Sequence, residues 1–176
     1  MKRPNKFRQS DKLLRLWLRN LPLLKALCIR GKVMSNIRGK CLCENVTYEI
    51  SGSLGAIYNC HCSKCRRWHG APFRSRASIN VSQFRMLSGQ ESLSSFKSSD
   101  NVTKYFCKVC GSPLHSTYAD RPNVIGIALG ALEGVESTPE ANIFTASKAS
   151  WYEITDGLPQ YESWPGSEAK VRETNA

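Results

Sequence analysis

The sequence predicts an all-β domain stapled by bound metal, and three observations carry that prediction. From Lys40 onward, apolar and polar residues alternate with a period of two in short runs rich in Val, Ile, Thr, Tyr and Phe, divided by Ser, Gly, Pro and Asn. Nowhere in that region does the apolar period of 3.6 persist long enough for a long helix. Seven of the eight cysteines fall into three tight clusters, Cys41/Cys43, Cys60/Cys62/Cys65 and Cys107/Cys110, and such spacings let several sulfurs reach one ion.

At 176 residues the chain is long enough for one domain with a real core and too short for two comfortable ones. Three segments are expected: a basic extension over 1–33, a zinc-binding domain over 34–165 and a disordered tail over 166–176. The net charge of +11 belongs to the first of these. Residues 1–40 hold twelve Lys or Arg against one acid, and residues 41–176 balance thirteen bases with thirteen acids. The folded domain therefore needs no basic patch, and nucleic acid is not its expected partner. Within the extension, residues 13–29 mix Leu and Trp with Arg and Lys in the manner of an amphipathic helix, kinked or broken by Pro22. Such a helix would lie on an anionic membrane or act as a targeting peptide. The competing readings are a solvated tail, or a mis-assigned start with translation beginning at Met34. The run is too short and too charged to span a bilayer and has no small-residue cleavage site, so a cytoplasmic, reducing compartment is expected. There, paired cysteines favour metal over disulfides.

Residues 46–50 alternate as a half-buried strand, and the turn chemistry of 51–55 leads to a second strand at 56–59. A hairpin of the two would bring the Cys41/Cys43 and Cys60 ends to one edge. Further strands are expected at 73–81, 84–87 and 93–97. Residues 104–106 and 114–118 flank the Cys107–Cys110 knuckle, an apolar buried strand runs over 124–132, and short edge strands fall at 142–146 and 151–154. Residues 133–140 read as a loop, and from Pro159 periodicity fades and the chain should fray.

The seven clustered thiols divide as four plus three. Cys107-x-x-Cys110 is followed by Gly111, which permits the positive φ of a metal knuckle. With Cys41 and Cys43 it completes a four-sulfur set, which closes a tetrahedral zinc site and would staple segments more than sixty residues apart. Cys60, Cys62 and Cys65 form a three-sulfur set that leaves a position open, as catalytic zinc requires. Two zinc ions per chain are expected. Lys64, Arg66 and Arg67 crowd the triplet and either favour its thiolates and attract a carboxylated substrate or form a solvated cluster. His61 should point away from the metal, His69 reads as a packed loop residue rather than a fourth ligand, and His115 reads as structural.

These residues resemble a known family. Gly39-Lys40-Cys41-x-Cys43, Cys60-His61-Cys62-x-x-Cys65-Arg66, Gly70-Ala71-Pro72-Phe73, Phe106-Cys107-x-x-Cys110-Gly111-Ser112 and Ile143-Phe144…Ser147-Lys148-Ala149…Trp151 follow in order the pattern of the glutathione-dependent formaldehyde-activating (GFA) family, which also includes centromere protein V. The resemblance covers residues 39–164. It implies a β-tent-like fold of coiled antiparallel sheets, structural zinc on Cys41, Cys43, Cys107 and Cys110, and catalytic zinc on Cys60, Cys62 and Cys65. It also implies a carbon–sulfur lyase that adds formaldehyde to glutathione to give S-hydroxymethylglutathione. Lys64, Arg66, Arg67, Arg74 and Arg76 are then the expected partners of the substrate's carboxylates. Two positions depart from the pattern, Asn142 where many members have His and Lys104 where Arg is common, and neither is expected to touch a ligand. The alternative to the enzyme is a non-catalytic zinc-stabilised module that uses its basic extension to bind an acidic partner.

Overall fold

The computed structural model describes residues 36–166. The extension 1–33, where the amphipathic helix is expected and Cys28 falls, and the tail beyond Gly166 lie outside the described residues.

Eleven short strands and one helix make up the described chain: β1 (Ile37–Lys40), β2 (Thr47–Ile50), β3 (Ile57–Cys60), α1 (Ser63–His69), β4 (Arg74–Asn80), β5 (Phe84–Ser88), β6 (Leu93–Lys97), β7 (Val102–Cys107), β8 (Pro113–Tyr118), β9 (Val124–Ala128), β10 (Leu132–Glu133) and β11 (Ala141–Ile143). They build two sheets. One has four strands in the order β10-β1-β2-β5, the other seven in the order β11-β3-β4-β9-β8-β7-β6. All neighbours are antiparallel except β11 against β3. The expected all-β architecture is present.

The main core lies where alternation puts the apolar residues of both sheets. Val46, Tyr48 and Ile50 from the smaller sheet meet Ile79, Leu114, Ile125 and Ile127 from the larger, with Cys41 and Cys107 in the same cluster. Tyr48 sits directly across from Gly39 on β1, and a Cβ at Gly39 would fall inside the Tyr48 ring. The glycine is what lets that ring lie flat in the core.

The expected hairpin of β2 and β3 does not form. β2 belongs to the smaller sheet and β3 to the larger, and the segment between them crosses over. Its polar groups go to other elements instead of to each other: Ser51 N–H donates to Gln83 O at 2.9 Å, Gln83 Nε2 donates to the carbonyls of Ser51 and Ser53, and Gly55 N–H donates to Ser78 O. Three further expectations change. The strand over 124–132 breaks after Ala128 at a 3-10 turn, Leu129–Ala131, and its end passes to the other sheet as β10. Residues 151–154 turn rather than extend, with Tyr152 N–H donating to Ala149 O. Residues from Pro159 to Trp164 do not fray: Asn142 and Gln160 form a bridge, and Tyr161 exchanges backbone bonds with Asn142 and Thr145.

Candidate metal centres and the cationic face

The Cys41/Cys43 turn and the Cys107/Cys110 knuckle meet at one point, and all four sulfurs lie within 4.8 Å of one another. Cys41 Sγ is 3.5 Å from Cys43 Sγ, which is 3.8 Å from Cys107 Sγ. Four sulfurs held at the usual zinc–sulfur length on a tetrahedron stand about 3.8 Å apart, so the set fits the ion. Gly111 adopts φ 76° as its position required, and its N–H donates to Cys107 O at 2.8 Å. Val46 N–H reaches Cys41 Sγ at 3.3 Å, and the Ser112 hydroxyl lies 3.2 Å from Cys110 Sγ. That hydroxyl, with the Ser112 backbone, holds the Cys110 thiol below its ordinary range.

The triplet is assembled by a feature the sequence reading missed. Cys60 ends β3, Cys62 caps the N-terminus of α1, and Cys65 lies in its first turn. Cys62 Sγ accepts from Cys65 N–H at 3.4 Å. The helix spans 7 residues and ends at Gly70, whose φ of 59° lets its N–H return to Arg66 O. It is too short to leave a readable period. The three sulfurs of the triplet also lie within 4.8 Å of one another, and no other thiol, imidazole or carboxylate among the described residues joins them. Hydrogen bonds from the Cys60 and Cys65 thiols push the Cys62 thiol well down, and the contact with Cys62 pushes Cys60 up. Soft thiolate donors in closed and open sets are the ligand chemistry of zinc. None of the seven thiols is in a disulfide.

The larger sheet gives the triplet its surroundings. Residues directly opposite one another on paired strands share a face, and Cys60 faces Arg74, Tyr58 faces Arg76, and Lys104 faces Ser116. Arg74, Arg76 and Lys104 are 5%, 4% and 3% exposed, and among the described residues none has a carboxylate at ion-pair distance. Arg74 donates to Ser116 Oγ at 3.0 Å and Gly126 O at 2.8 Å. Arg76 donates to Ser78 Oγ and lies over the Tyr118 and Trp164 rings. The Lys104 ammonium lies 3.9 Å from Cys65 Sγ and 5.4 Å from the Trp68 ring centre. Unpaired buried cations are costly, so negative charge at the triplet is part of what makes this face tolerable. Lys104, expected to touch no ligand, is thus beside one.

The other sequence-derived residues sort by exposure. Lys64 and Arg67 are exposed on α1, and Arg66 spends its Nε–H on His61 O at 3.3 Å. His61 points away from the sulfurs as expected: its Nε2 meets Asn142 Oδ1 at 2.8 Å, and Asn142 Nδ2 donates to both Asp156 oxygens at 3.0 Å. Asn142, the second departure from the family pattern, therefore anchors the residue between two of the thiols. His115 is structural, stacked on Tyr105 at 4.5 Å, and burial pushes it down to about 4. His69 ends α1 with its Nε2 buried and unpartnered, and burial, then Arg74 and Lys104, push it down to about 3. Tyr161 and Trp164 pack against the cluster formed by Cys60, Cys65 and Ile143. No local signal in the sequence joins those two aromatics to thiols a hundred residues earlier.

A two-sheet frame carrying a four-thiol set and a three-thiol set, the second beside buried cations, defines a class, a β protein with two cysteine clusters that could hold metal. The profile of the glutathione-dependent formaldehyde-activating enzyme matches residues 36–147, and the chain belongs to that family. It is 27% identical over 124 residues to a protein named an uncharacterized lyase in Schizosaccharomyces pombe, covering 70% of this chain and 88% of that one. It is also similar to a solved Rhodobacter sphaeroides protein, at 27% identity and a TM-score of 0.49, over 58% of this chain and 97% of that one.

Proposed function

We propose that this protein is a carbon–sulfur lyase that joins or separates a small aldehyde such as formaldehyde and a thiol such as glutathione. Family membership and the lyase-named relative support the class. The observation that carries the chemistry is the triplet, three thiols gathered with no fourth ligand among the described residues, while the other four clustered thiols form a set of their own. Cys41, Cys43, Cys107 and Cys110 are assigned to structural zinc, and Cys60, Cys62 and Cys65 to catalytic zinc. A metal at the open set supplies Lewis acidity, making a thiol easier to deprotonate or a carbonyl easier to attack.

The chain's own residues do the rest. The cationic face at Arg74, Arg76 and Lys104 favours negative charge at the reacting sulfur and at the substrate's carboxylates. Lys64, Arg66 and Arg67 draw the anion in from outside. Tyr161 and Trp164 pack against the cluster of Cys60, Cys65 and Ile143, and excluding water there would strengthen those interactions. The seven free thiols among the described residues suit the reducing, cytoplasmic setting proposed for the protein.

Zinc analysis coupled to an assay of adduct formation from glutathione and formaldehyde tests this on the full chain. The expected result is two zinc ions per chain, with Cys62→Ser retaining one and losing turnover. A single zinc in the wild type, or turnover that survives Cys62→Ser, would refute the assignment.

A further inference from the structure

Strand β6 forms one edge of the larger sheet, and among the described residues no strand pairs with its outer side. Two bonds just beyond its ends fix the direction of its backbone groups. Ser98 N–H donates to Val102 O and Lys108 N–H to Ser92 O, both at 2.9 Å, and the register between β6 and β7 does not shift between them. Antiparallel ladders bond at every second residue. Ser94 and Phe96 therefore spend their backbone groups on β7, while those of Leu93, Ser95 and Lys97 point outward. Leu93 N–H is taken by Gln90 O, which leaves the Leu93 carbonyl and both groups of Ser95 and Lys97 open to a new strand.

An edge in this state is a template for another strand, and sheet edges are ordinarily guarded by brevity, charge, a bulge or a cover. The other edges have such guards. β10 has 2 residues, β5 carries the exposed Arg85 in a bulged pairing, and β11 is covered by the bridge between Asn142 and Gln160. β6 runs for 5 residues without a bulge. Its one charge, Lys97, stands at its end, and Phe96 is 56% exposed. The Phe96 ring stacks on Trp68 at 6.0 Å, and Trp68 meets Phe106 edge-on at 5.6 Å and lies against the Lys104 ammonium.

We propose that β6 is a dimer interface, where it pairs antiparallel with β6 of a second copy about a two-fold axis through Ser95. Ser95 bonds to Ser95 of the second copy through both backbone groups, and Lys97 N–H reaches the Leu93 carbonyl at either end. Phe96 stands opposite Ser94, and the two Phe96 rings meet on the diagonal, within reach of each other. Charge favours a like copy as the occupant. The two Lys97 ammoniums lie at opposite ends of the ladder, each on the diagonal to Glu91 of the other copy, and Glu91 is exposed and in no ion pair among the described residues. The dimer joins the larger sheets of two copies and covers the outer side of the aromatic stack beside Lys104. It does not depend on the lyase reading.

Sedimentation velocity on the zinc-loaded full chain, from about 1 µM to about 1 mM, tests the proposal, because a contact of this size is weak and concentration-dependent. The wild type should pass from monomer to dimer across that range. Ser95→Pro removes an N–H that the monomer leaves unused, and proline is tolerated on the solvent side of an edge strand. This variant should keep its zinc and stay monomeric throughout. Phe96→Lys removes both rings and sets like charges on the diagonal, so it should weaken the dimer by at least about tenfold. Amide exchange reads the register: association should slow exchange at Ser95 and Lys97 and leave Ser94 and Phe96 unchanged. If Ser95→Pro does not fold, Phe96→Lys and amide exchange decide. A wild type that stays monomeric at the highest concentration, a dimer that survives Ser95→Pro, or association without protection at Ser95 overturns the proposal.

Discussion

Replacing Lys104 by Met removes a buried ammonium 3.9 Å from Cys65 Sγ. Two unit charges at that separation interact by about 4 kcal/mol at an effective dielectric of 20. The full value will not appear, because the substitution also removes the cost of burying an ammonium that is 3% exposed. The two effects act on different states. Attraction counts only when the triplet carries negative charge, as it must to hold metal; the burial cost is present with or without it. Zinc affinity at the triplet should therefore fall by at least tenfold, about 1.4 kcal/mol. Stability of the metal-free protein should stay level or rise. Competition with a chromophoric chelator reads both sites at once, and the four-sulfur set serves as internal control. Lys104→Arg, which keeps the charge, should retain the affinity. If triplet affinity is unchanged in Lys104→Met, or if both sites weaken together, the electrostatic account of the cationic face is wrong.

Gly39→Ala forces a methyl into the Tyr48 ring and should cost roughly 1–3 kcal/mol in chemical denaturation; an unchanged midpoint would mean that the ring relocates freely. Asn142→Ala strips His61 and Asp156 of a shared partner and should destabilise by about 2 kcal/mol, while Asn142→Asp should also disturb zinc content at the triplet, as metal analysis would reveal. His115 makes folding acid-sensitive. Its folded value of about 4 lies below the ordinary 6.5, so the unfolded chain takes up the proton first; stability is full above pH 6.5 and drains as pH falls towards 4, by about 3 kcal/mol. His115→Gln should flatten that part of the stability profile relative to wild type, and parallel profiles would count against a buried neutral imidazole.

The fold class and the division of thiols were legible because both depend on local signals. Alternation marks strands one by one, and Cys107-x-x-Cys110-Gly111 announces its own turn. Partnership between elements was not legible. The turn-like run 51–55 reads as a hairpin, yet Gln83 and Ser78, supplied by the segment around β4 and β5, satisfy its polar groups and carry the chain to the other sheet. Helix α1 escaped notice because seven residues, of which Lys64, Cys65, Arg66, Arg67 and His69 carry a thiol or a base, show no apolar stripe. Lys104 and Asn142 stood out only as departures from a pattern. Their places beside Cys65 and His61 are set by strand pairings over long sequence separations.

The lateness of Tyr161 and Trp164 in the chain has a consequence for how the protein comes into being. The triplet is complete within six residues, whereas Cys41 and Cys43 must wait for Cys107 and Cys110, and the aromatics that pack against Cys60 and Cys65 arrive a hundred residues after the thiols. Domains emerge from the ribosome N-terminus first. During synthesis the triplet is therefore the first thiol set to emerge complete and the last to gain its aromatic neighbours, so a metal would be able to bind there before Tyr161 and Trp164 pack against the cluster.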